Sequence, residues 1–210
     1  MNLLKKKKIG ILLFDYVDIL DFAGPAEVLS LTTNNKAEQM LTLYKKQLLP
    51  IRPFEVKTIT ETGEKIKTHA GISVEPDYSI HKHPDLNILI ISGGPLRAVE
   101  AVAKNEPLQQ WILMHKHIEY ICSVCTGAFI LGETGLLNGK RATTHYLALH
   151  ILQKTYPNVK VAFDCKVVHD GNIISSGGVS SGINMALYLV EQIMGKTVAE
   201  RTAKTIEYHK

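Results

Sequence analysis

The sequence predicts an α/β protein in which a parallel β-sheet lies between layers of helices on both of its faces. Short apolar runs rich in β-branched residues alternate with longer segments of helical periodicity, which is typical of a parallel sheet with helical crossovers. The run at 86–91 is almost entirely apolar, as expected of a strand that is buried on both faces. No linker, repeat or low-complexity segment interrupts the pattern, so we expect residues 1–210 to form a single domain.

Prolines and turn residues set the expected boundaries in the first half of the chain. Proline is favoured in the first turn of a helix, so Gly24-Pro25 predicts a helix that begins there and continues to about residue 30. Pro107 lacks an amide hydrogen and should divide a helical pattern into two helices, at 97–104 and 108–117. The strands expected in this half lie at 9–14, 54–60, 71–74 and 86–91, with a hairpin turn at 61–65.

The second half of the chain continues the same alternation. A strand at 118–124 leads directly into a helix at 127–135. The segment His169-Asp-Gly171 predicts a tight turn that joins two hairpin strands. The other expected elements are strands at 141–144, 159–168 and 172–175, and helices at 146–155, 181–194 and 198–208.

Composition and charge argue against several classes of function. The formal net charge is +4, and the basic run Lys5 to Lys8 has no second basic stripe or aromatic platform beside it, so a nucleic-acid partner is not expected. No segment approaches the roughly 20 apolar residues of a membrane-spanning helix, so we expect no membrane partner. Three cysteines, an odd number without a secretory signature, predict reduced thiols and a cytoplasmic location.

Cys125 is the strongest candidate for a reactive residue. It lies at an expected strand-to-helix junction in Ser123-Val-Cys-Thr-Gly127, which has the form of a nucleophile elbow with cysteine in place of serine. Such a turn strains the backbone of the nucleophile and crowds the positions two before and two after it, where this chain has the small residues Ser123 and Gly127. The N-terminus of the following helix should favour the thiolate, which is the reactive form of cysteine.

The other cysteines and the paired histidines do not indicate a metal site. Cys122 and Cys165 are expected to be small buried residues of strands. Cys122 and Cys125 form a C-x-x-C pair, but their side chains should diverge at the turn and no second pair completes a zinc site. The pairs His81-x-His83 and His115-x-His117 are expected at the surface. We therefore predict neither a metal nor another cofactor.

Further residues are candidates for roles beside Cys125. The N–H of Gly94, after a buried strand, could form a two-donor oxyanion site with the N–H of Thr126, although a plain turn fits the local sequence equally well. Asp21 lies in an apolar context that would raise its pKa and let it share a proton with a thiolate, with Asp18 as the alternative. His145 follows an expected strand and is either a cleft residue or a structural histidine.

Five motifs, in their order along the chain, resemble those of a known family. They are Leu20-Asp-Phe-Ala-Gly-Pro25, Ser92-Gly-Gly94, Ser123-Val-Cys-Thr-Gly127, Gly139-Lys-Arg-Ala-Thr-Thr-His145 and Asp170-Gly-Asn172. With them the chain resembles the ThiJ/PfpI superfamily over nearly its whole length, and it is most similar to the isonitrile hydratase-like members. The resemblance implies a fold like that of the class I glutamine amidotransferases, a flavodoxin-like three-layer arrangement. It also implies a homodimer.

The resemblance assigns roles to individual residues. It implies that Cys125 is the nucleophile, that Asp21 is the carboxylate facing it, and that Thr126 and Gly94 supply N–H donors. In the protease-like members a histidine directly follows the cysteine, whereas this chain has Thr126, so peptidase activity is not expected. AraC-like regulators that contain the same domain carry a helix-turn-helix pair downstream, for which this sequence leaves no room, so a DNA-binding regulator is not expected either.

Three functions remain open at this point, and all of them imply a small-molecule partner. In the first, the Cys125 thiolate adds to a small isonitrile and the product is an N-substituted formamide. In the second, the same thiolate acts on reactive carbonyls, as in a glyoxalase or deglycase. In the third, the protein is a non-enzymatic redox or metabolite sensor in which Cys125 is oxidised. The choice depends on pocket walls that no motif encodes.

Overall fold

A computed structural model describes residues 6–42, 44, 46 and 51–208, and eleven strands lie within them. They are β1 (Lys7–Leu12), β2 (Phe54–Thr60), β3 (Ile66–Lys67), β4 (Ser73–Val74), β5 (Tyr78–Ser79), β6 (Ile88–Ile91), β7 (Tyr120–Val124), β8 (Arg141–Ala142), β9 (Lys160–Val161), β10 (Val167–Asp170) and β11 (Ile173–Ser176). Seven of them form the central sheet in the order β10-β11-β7-β6-β1-β2-β5, while β3 pairs with β4 and β8 with β9. Only the edge strand β10 runs antiparallel to its neighbour among these seven described strands.

Eight α-helices in the same residues form two groups. They are α1 (Ile19–Leu31), α2 (Lys36–Thr42), α3 (Leu96–Ala103), α4 (Glu106–Met114), α5 (Gly127–Glu133), α6 (Leu149–Thr155), α7 (Ser181–Met194) and α8 (Lys196–Thr205). Helices α1, α7 and α8 contact one another, and α2 joins them through a hydrogen bond to α8. Helices α3 and α5 contact each other, and α4 and α6 pack beside them. No helix in the described residues is long and apolar enough to cross a membrane.

The strand order places a crevice at the centre of the sheet. The chain runs from β1 to β2 on one side and later crosses to β6 on the other side of β1. In such sheets, ligands bind at the carboxyl ends of the strands next to this reversal of direction. The residues Ile88–Ile91 of β6 are fully buried, as the apolar run at 86–91 predicted. The predicted α/β fold class is confirmed.

The start of the first helix differs from the prediction. Helix α1 begins at Ile19, so Pro25 lies inside the helix and not in its first turn. The N–H of Asp18 donates a hydrogen bond of 3.0 Å to the carbonyl oxygen of Gly93, a contact between distant parts of the sequence that turns the chain into the helix early. As a consequence, Asp21 lies in the first turn of α1. An interior proline costs the helix one hydrogen bond and does not prevent the helix from forming.

Other boundaries also depend on contacts that the sequence does not display. Strand β4 pairs with β3 and not with β2, so the hairpin expected at 61–65 is wrong. The single strand expected at 159–168 divides into β9 and β10, and neither α2 nor β5 was predicted. In contrast, β2 and α7 have the predicted bounds, and β10 and β11 form the predicted hairpin. Of the basic run at 5–8, Lys5 lies outside the described residues.

Two histidines that were expected at the surface are instead half-buried against the single tryptophan. The indole N–H of Trp111 donates a hydrogen bond of 2.8 Å to Nε2 of His83. The Nδ1 of His115 lies 2.8 Å from the carbonyl oxygen of Trp111. Burial lowers the pKa of His115, with a smaller contribution from the nearby His83. These contacts give both histidines a structural role.

Helix α5 begins so close to the end of β6 that a side chain has no space at its first residue. A Cβ atom on Gly127 would lie 2.4 Å from the carbonyl oxygen of Ile91 and 2.8 Å from that of Ser92. Both oxygens belong to the backbone at the buried end of a central strand, and they cannot move without disturbing the sheet. The small residue expected two positions after Cys125 is therefore required by contact with a neighbouring strand.

We expect Gly127→Ala to lower the free energy of unfolding by about 2–4 kcal/mol, because backbone atoms must shift to admit the methyl group. Gly139→Ala is the matched control: Gly139 has a left-handed φ of +75° but no atom within 4 Å of an added Cβ. That variant should lose only about 1 kcal/mol from backbone strain. Urea unfolding measures both, and equal losses would contradict the steric explanation.

Candidate active site

The backbone of Cys125 adopts the strained conformation that the elbow motif predicted. Its φ is +56°, a left-handed value that non-glycine residues rarely adopt. The N–H of Cys125 donates to the carbonyl oxygens of Ser176 at 3.2 Å and Gly177 at 3.0 Å, and the hydroxyl of Thr144 donates to the Cys125 carbonyl oxygen at 2.7 Å. Hydrogen bonds on both sides of the residue therefore hold the turn between β7 and α5 in place.

The thiol of Cys125 is almost completely enclosed, and its side chain and backbone together are only 3% exposed. Burial, together with the negative charge of Asp21, raises the pKa of this thiol to about 12. The backbone N–H groups of Thr126 and Val179 lie next to the sulfur and oppose this shift without cancelling it. Desolvation therefore opposes the thiolate that the helix N-terminus was expected to favour, whereas the nearby N–H donors support it.

Asp21 lies opposite Cys125 in the first turn of α1 and is fully buried. Its Oδ2 accepts a hydrogen bond of 3.0 Å from the N–H of Gly93. Its Oδ1 makes no hydrogen bond of ordinary geometry with the described residues, although the Cys125 thiol lies nearby. Burial, and then the charge of Asp18, raises the pKa of Asp21 to about 7. Asp21 is therefore a carboxyl group that can gain or lose a proton near neutral pH.

Asp18, the alternative to Asp21 in the sequence, also belongs to this site. Ligand atoms of Asp18, Asp21 and Cys125 all lie within 4.8 Å of one another. The Oδ1 of Asp18 is 3.1 Å from Nδ1 of His69, which extends from the hairpin of β3 and β4. In the described part of the chain, these two carboxyls and the thiol are the group that could hold a metal ion. The absence of a metal stays a prediction.

Gly94 and Thr126 form hydrogen bonds with each other, so the Gly94 N–H does not point to a free oxyanion position. The N–H of Gly94 donates to the hydroxyl oxygen of Thr126 at 2.9 Å, and that hydroxyl donates to the carbonyl oxygen of Gly94 at 2.6 Å. The Gly94 N–H is thus already engaged, which corrects its expected role as a donor to a reacting group. The double hydrogen bond fixes the loop after β6 against the elbow, and this loop also carries the Gly93 N–H that binds Asp21.

Val179 is the site residue that the sequence analysis missed. It follows Gly177 and Gly178 at the end of β11, and it has a left-handed φ of 45°. Its backbone N–H lies near both the Cys125 sulfur and the Asp21 carboxyl. Any residue type can provide a backbone donor, so the residue type at position 179 gave no signal. The only signal in the sequence was the position of Val179 after a strand, at the carboxyl edge of the sheet.

His145 and Cys165 line a cavity of about 360 Å³ together with Val179, and Cys125 and Asp21 do not line it. The Nδ1 of His145 accepts a hydrogen bond of 3.3 Å from the N–H of Leu147, so the histidine caps a short 3₁₀ turn at Tyr146–Ala148. Cys165 is exposed in the segment between β9 and β10, which corrects the expectation of a buried strand residue. Cys122 is buried in β7 as expected, and burial raises the pKa of its thiol.

We expect Asp21→Asn to stabilise the protein at pH 8 but not at pH 4. The pKa of Asp21 is raised on folding to about 7, so its protonated form adds stability below its ordinary pKa, and that contribution is lost as the pH rises through 7. Relative to wild type, the variant should gain about 2–4 kcal/mol in free energy of unfolding between pH 4 and pH 8. Urea unfolding at both pH values measures this difference.

The control variant is Asp85→Asn, which removes an exposed carboxylate outside this site. It should show a much smaller change between the two pH values, because an exposed group keeps its contact with water. If the free energy of unfolding of the two variants changed equally with pH relative to wild type, burial of Asp21 would not be what destabilises its charged form.

Solved structures of other proteins have the same fold. A ThiJ/PfpI family protein from Pseudomonas syringae is similar with a TM-score of 0.82 and 23% identity, over 99% of this chain and 77% of that chain. DJ-1beta from Drosophila melanogaster is similar with a TM-score of 0.80 and 20% identity, over 98% of this chain and 100% of that chain. At these identities the likeness concerns the fold alone.

Sequence relatives include both an enzyme and a transcriptional regulator. The isonitrile hydratase of Pseudomonas putida is 32% identical over 202 residues, which are 96% of this chain and 78% of that protein. The HTH-type transcriptional regulator CdhR of Pseudomonas aeruginosa is 30% identical over 149 residues, which are 70% of this chain but only 43% of the regulator. The model of the DJ-1/PfpI family matches residues 7–192. The chain therefore belongs to the DJ-1/PfpI family, also called ThiJ/PfpI.

Proposed function

We propose that the protein is a cysteine-dependent hydratase that converts a small isonitrile to an N-substituted formamide. The observation that carries the proposal is the enclosed pair of Cys125 and Asp21, whose reactive atoms lie within 4.8 Å of each other. Burial raises the pKa of both groups, to about 12 and about 7, so the pair holds one proton over most of the neutral and alkaline range. Hydration of an isonitrile requires a nucleophile and a proton at the same carbon atom, and this pair can supply both.

In the first step, the thiol of Cys125 gives its proton to the Asp21 carboxylate while the sulfur bonds to the terminal carbon of the isonitrile. Protonated Asp21 then delivers that proton to the same carbon, so the product of the step is a thioimidate on Cys125. The N–H groups of Thr126 and Val179 stabilise the negative charge that develops on the sulfur as it loses its proton.

In the second step, Asp21 is again a carboxylate and accepts a proton from water as the water oxygen adds to the thioimidate carbon. Asp21 passes this proton to the substrate nitrogen, which gives a tetrahedral adduct that carries the water oxygen as a hydroxyl group. The carbon–sulfur bond then breaks while Asp21 transfers the hydroxyl proton to the sulfur, which releases the N-substituted formamide and the Cys125 thiol. One isonitrile and one water are consumed, and Cys125 and Asp21 return to their initial protonation states.

The enclosure of the pair favours a compact reacting group. Cys125 is 3% exposed and Asp21 is 0% exposed, and neither residue lines the cavities of about 830 and 360 Å³. A linear isonitrile group, two atoms long, needs less space at the sulfur than a peptide bond does. Thr126 also stands where a peptidase of this family would have a histidine, and its hydroxyl is already occupied by Gly94. The 32% identity to an isonitrile hydratase is consistent with the same chemistry.

We expect the purified protein to convert an alkyl isonitrile such as cyclohexyl isocyanide to the corresponding formamide, followed by mass spectrometry. Cys125→Ala should lower the rate at least about a hundredfold, because the covalent route is lost. Cys122→Ala is the matched control, because it removes a second thiol that is buried in the preceding strand. This variant should retain most of the activity. Equal turnover by wild type and Cys125→Ala would contradict the covalent mechanism.

The same preparations separate the proposal from its main rival. A glyoxalase-like enzyme would form lactate from methylglyoxal without glutathione and would lose this activity in Cys125→Ala. Lactate formation by the wild type together with an absence of formamide would overturn the hydratase assignment while keeping Cys125 as the nucleophile.

We expect kcat/KM for the isonitrile to rise with pH through about 7, because kcat/KM reports the ionisation of the free enzyme. Below that value Asp21 is protonated and cannot accept the proton of Cys125, and above it the carboxylate is available. The profile is measured from pH 5.5 to 8.5 after subtraction of the Cys125→Ala background, which removes uncatalysed acid hydrolysis. A kcat/KM that falls as the pH rises over this range would contradict this mechanism, because it would show that Asp21 must be protonated in the free enzyme.

A further inference from the structure

A cavity of about 830 Å³ opens beside the reaction site, at the carboxyl ends of β1 and β2. Helix α3 forms another part of the cavity wall through Ala98, Ala101 and Val102. Its volume lies in the range of small-molecule binding sites, which is roughly 300–1,000 Å³. The position also agrees with the edge of a parallel sheet where ligands bind in this class of fold.

The cavity is separate from the catalytic pair. Cys125 and Asp21 do not line it, whereas the loop between β1 and α1 does, through Asp15 and Tyr16. Tyr16 belongs to this loop and to the cavity wall, and it has a left-handed φ of 68°. His69, which contacts Asp18, lines the same wall. Strained residues of this kind concentrate at binding and switching sites, where surrounding structure holds them.

The floor and the mouth of the cavity differ in chemistry. The floor consists of buried apolar side chains, among them Leu13, Phe14 and Leu108. A charged group placed there would lose its water and gain no partner. The floor therefore favours the uncharged, apolar part of a ligand.

The charges at the mouth have both signs. Asp15 accepts a hydrogen bond from the backbone N–H of Lys67, and Glu61 accepts one from the side chain of Asn105. Arg97 also lines the cavity, and within the described residues it makes no ion pair. Two carboxylates and one guanidinium give the mouth no excess of positive charge that would select an anion.

We propose that this cavity is a second binding site, which takes a neutral and mainly apolar small molecule. The ligand lies on the floor formed by the ends of β1 and β2, with α3 over it, and any polar group that it carries points to the mouth. This site goes beyond the hydratase reaction, because its lining residues are not those that perform the chemistry.

The probe for the test is N-phenyl-1-naphthylamine, a neutral aromatic amine whose fluorescence rises in apolar surroundings. We expect saturable binding of one probe per chain. Ala98→Phe and Ala101→Phe place a ring in the cavity, and each should weaken binding at least tenfold; the second keeps the test valid if the half-buried Ala98 does not accept the ring. Glu100→Phe adds the same ring at an exposed position of α3 outside the cavity and should leave binding unchanged.

Two further measurements define the ligand class and the independence of the site. The sulfonated analogue 8-anilinonaphthalene-1-sulfonate should bind more weakly than the neutral probe, and Cys125→Ala should bind the neutral probe as wild type does. Unchanged binding in both cavity-filling variants would overturn the proposal, as would loss of binding in Cys125→Ala. Tighter binding of the sulfonate would overturn the neutral class. None of these outcomes depends on whether the protein hydrates isonitriles.

Discussion

The site depends on one constraint, the left-handed backbone of Cys125 at the end of β7. Three hydrogen bonds keep it there. The N–H of Cys125 donates to the carbonyl oxygens of Ser176 and Gly177, and its carbonyl oxygen accepts from the hydroxyl of Thr144. The same turn brings α5 against the end of β6, so that Gly127 can carry no side chain. It also brings the hydroxyl of Thr126 to the loop after β6. The elbow therefore positions both the sulfur and the loop that binds Asp21.

The second organising feature is the proximity of two buried acids, the thiol of Cys125 and the carboxyl group of Asp21. Burial disfavours the ionised form of each group, and ionisation of one makes ionisation of the other harder, so their titrations are coupled. A buried carboxylate destabilises the folded state at neutral pH, and the protein retains one next to Cys125, the candidate nucleophile. This arrangement places a second titratable group within 4.8 Å of the thiol.

Membership of the DJ-1/PfpI family explains the fold and the elbow but does not decide the substrate. Relatives with comparable identity include an isonitrile hydratase and a transcriptional regulator, so the shared domain serves both chemistry and regulation. The elbow itself therefore does not decide between these functions. In this chain Thr126 binds Gly94, and Cys125 and Asp21 are almost completely buried. His69 contacts Asp18 and also lines the separate apolar cavity.

The sequence alone determined the α/β class, the elbow at Cys125 and the carboxylate at Asp21, because each of these depends on local periodicity or on residue types at fixed spacing. It could not determine the early start of α1, the engagement of the Gly94 N–H or the place of Val179, since these follow from contacts between segments far apart in the chain. A helix N-terminus is visible in a sequence, but the burial that opposes ionisation of Cys125 is a property of the packed tertiary structure.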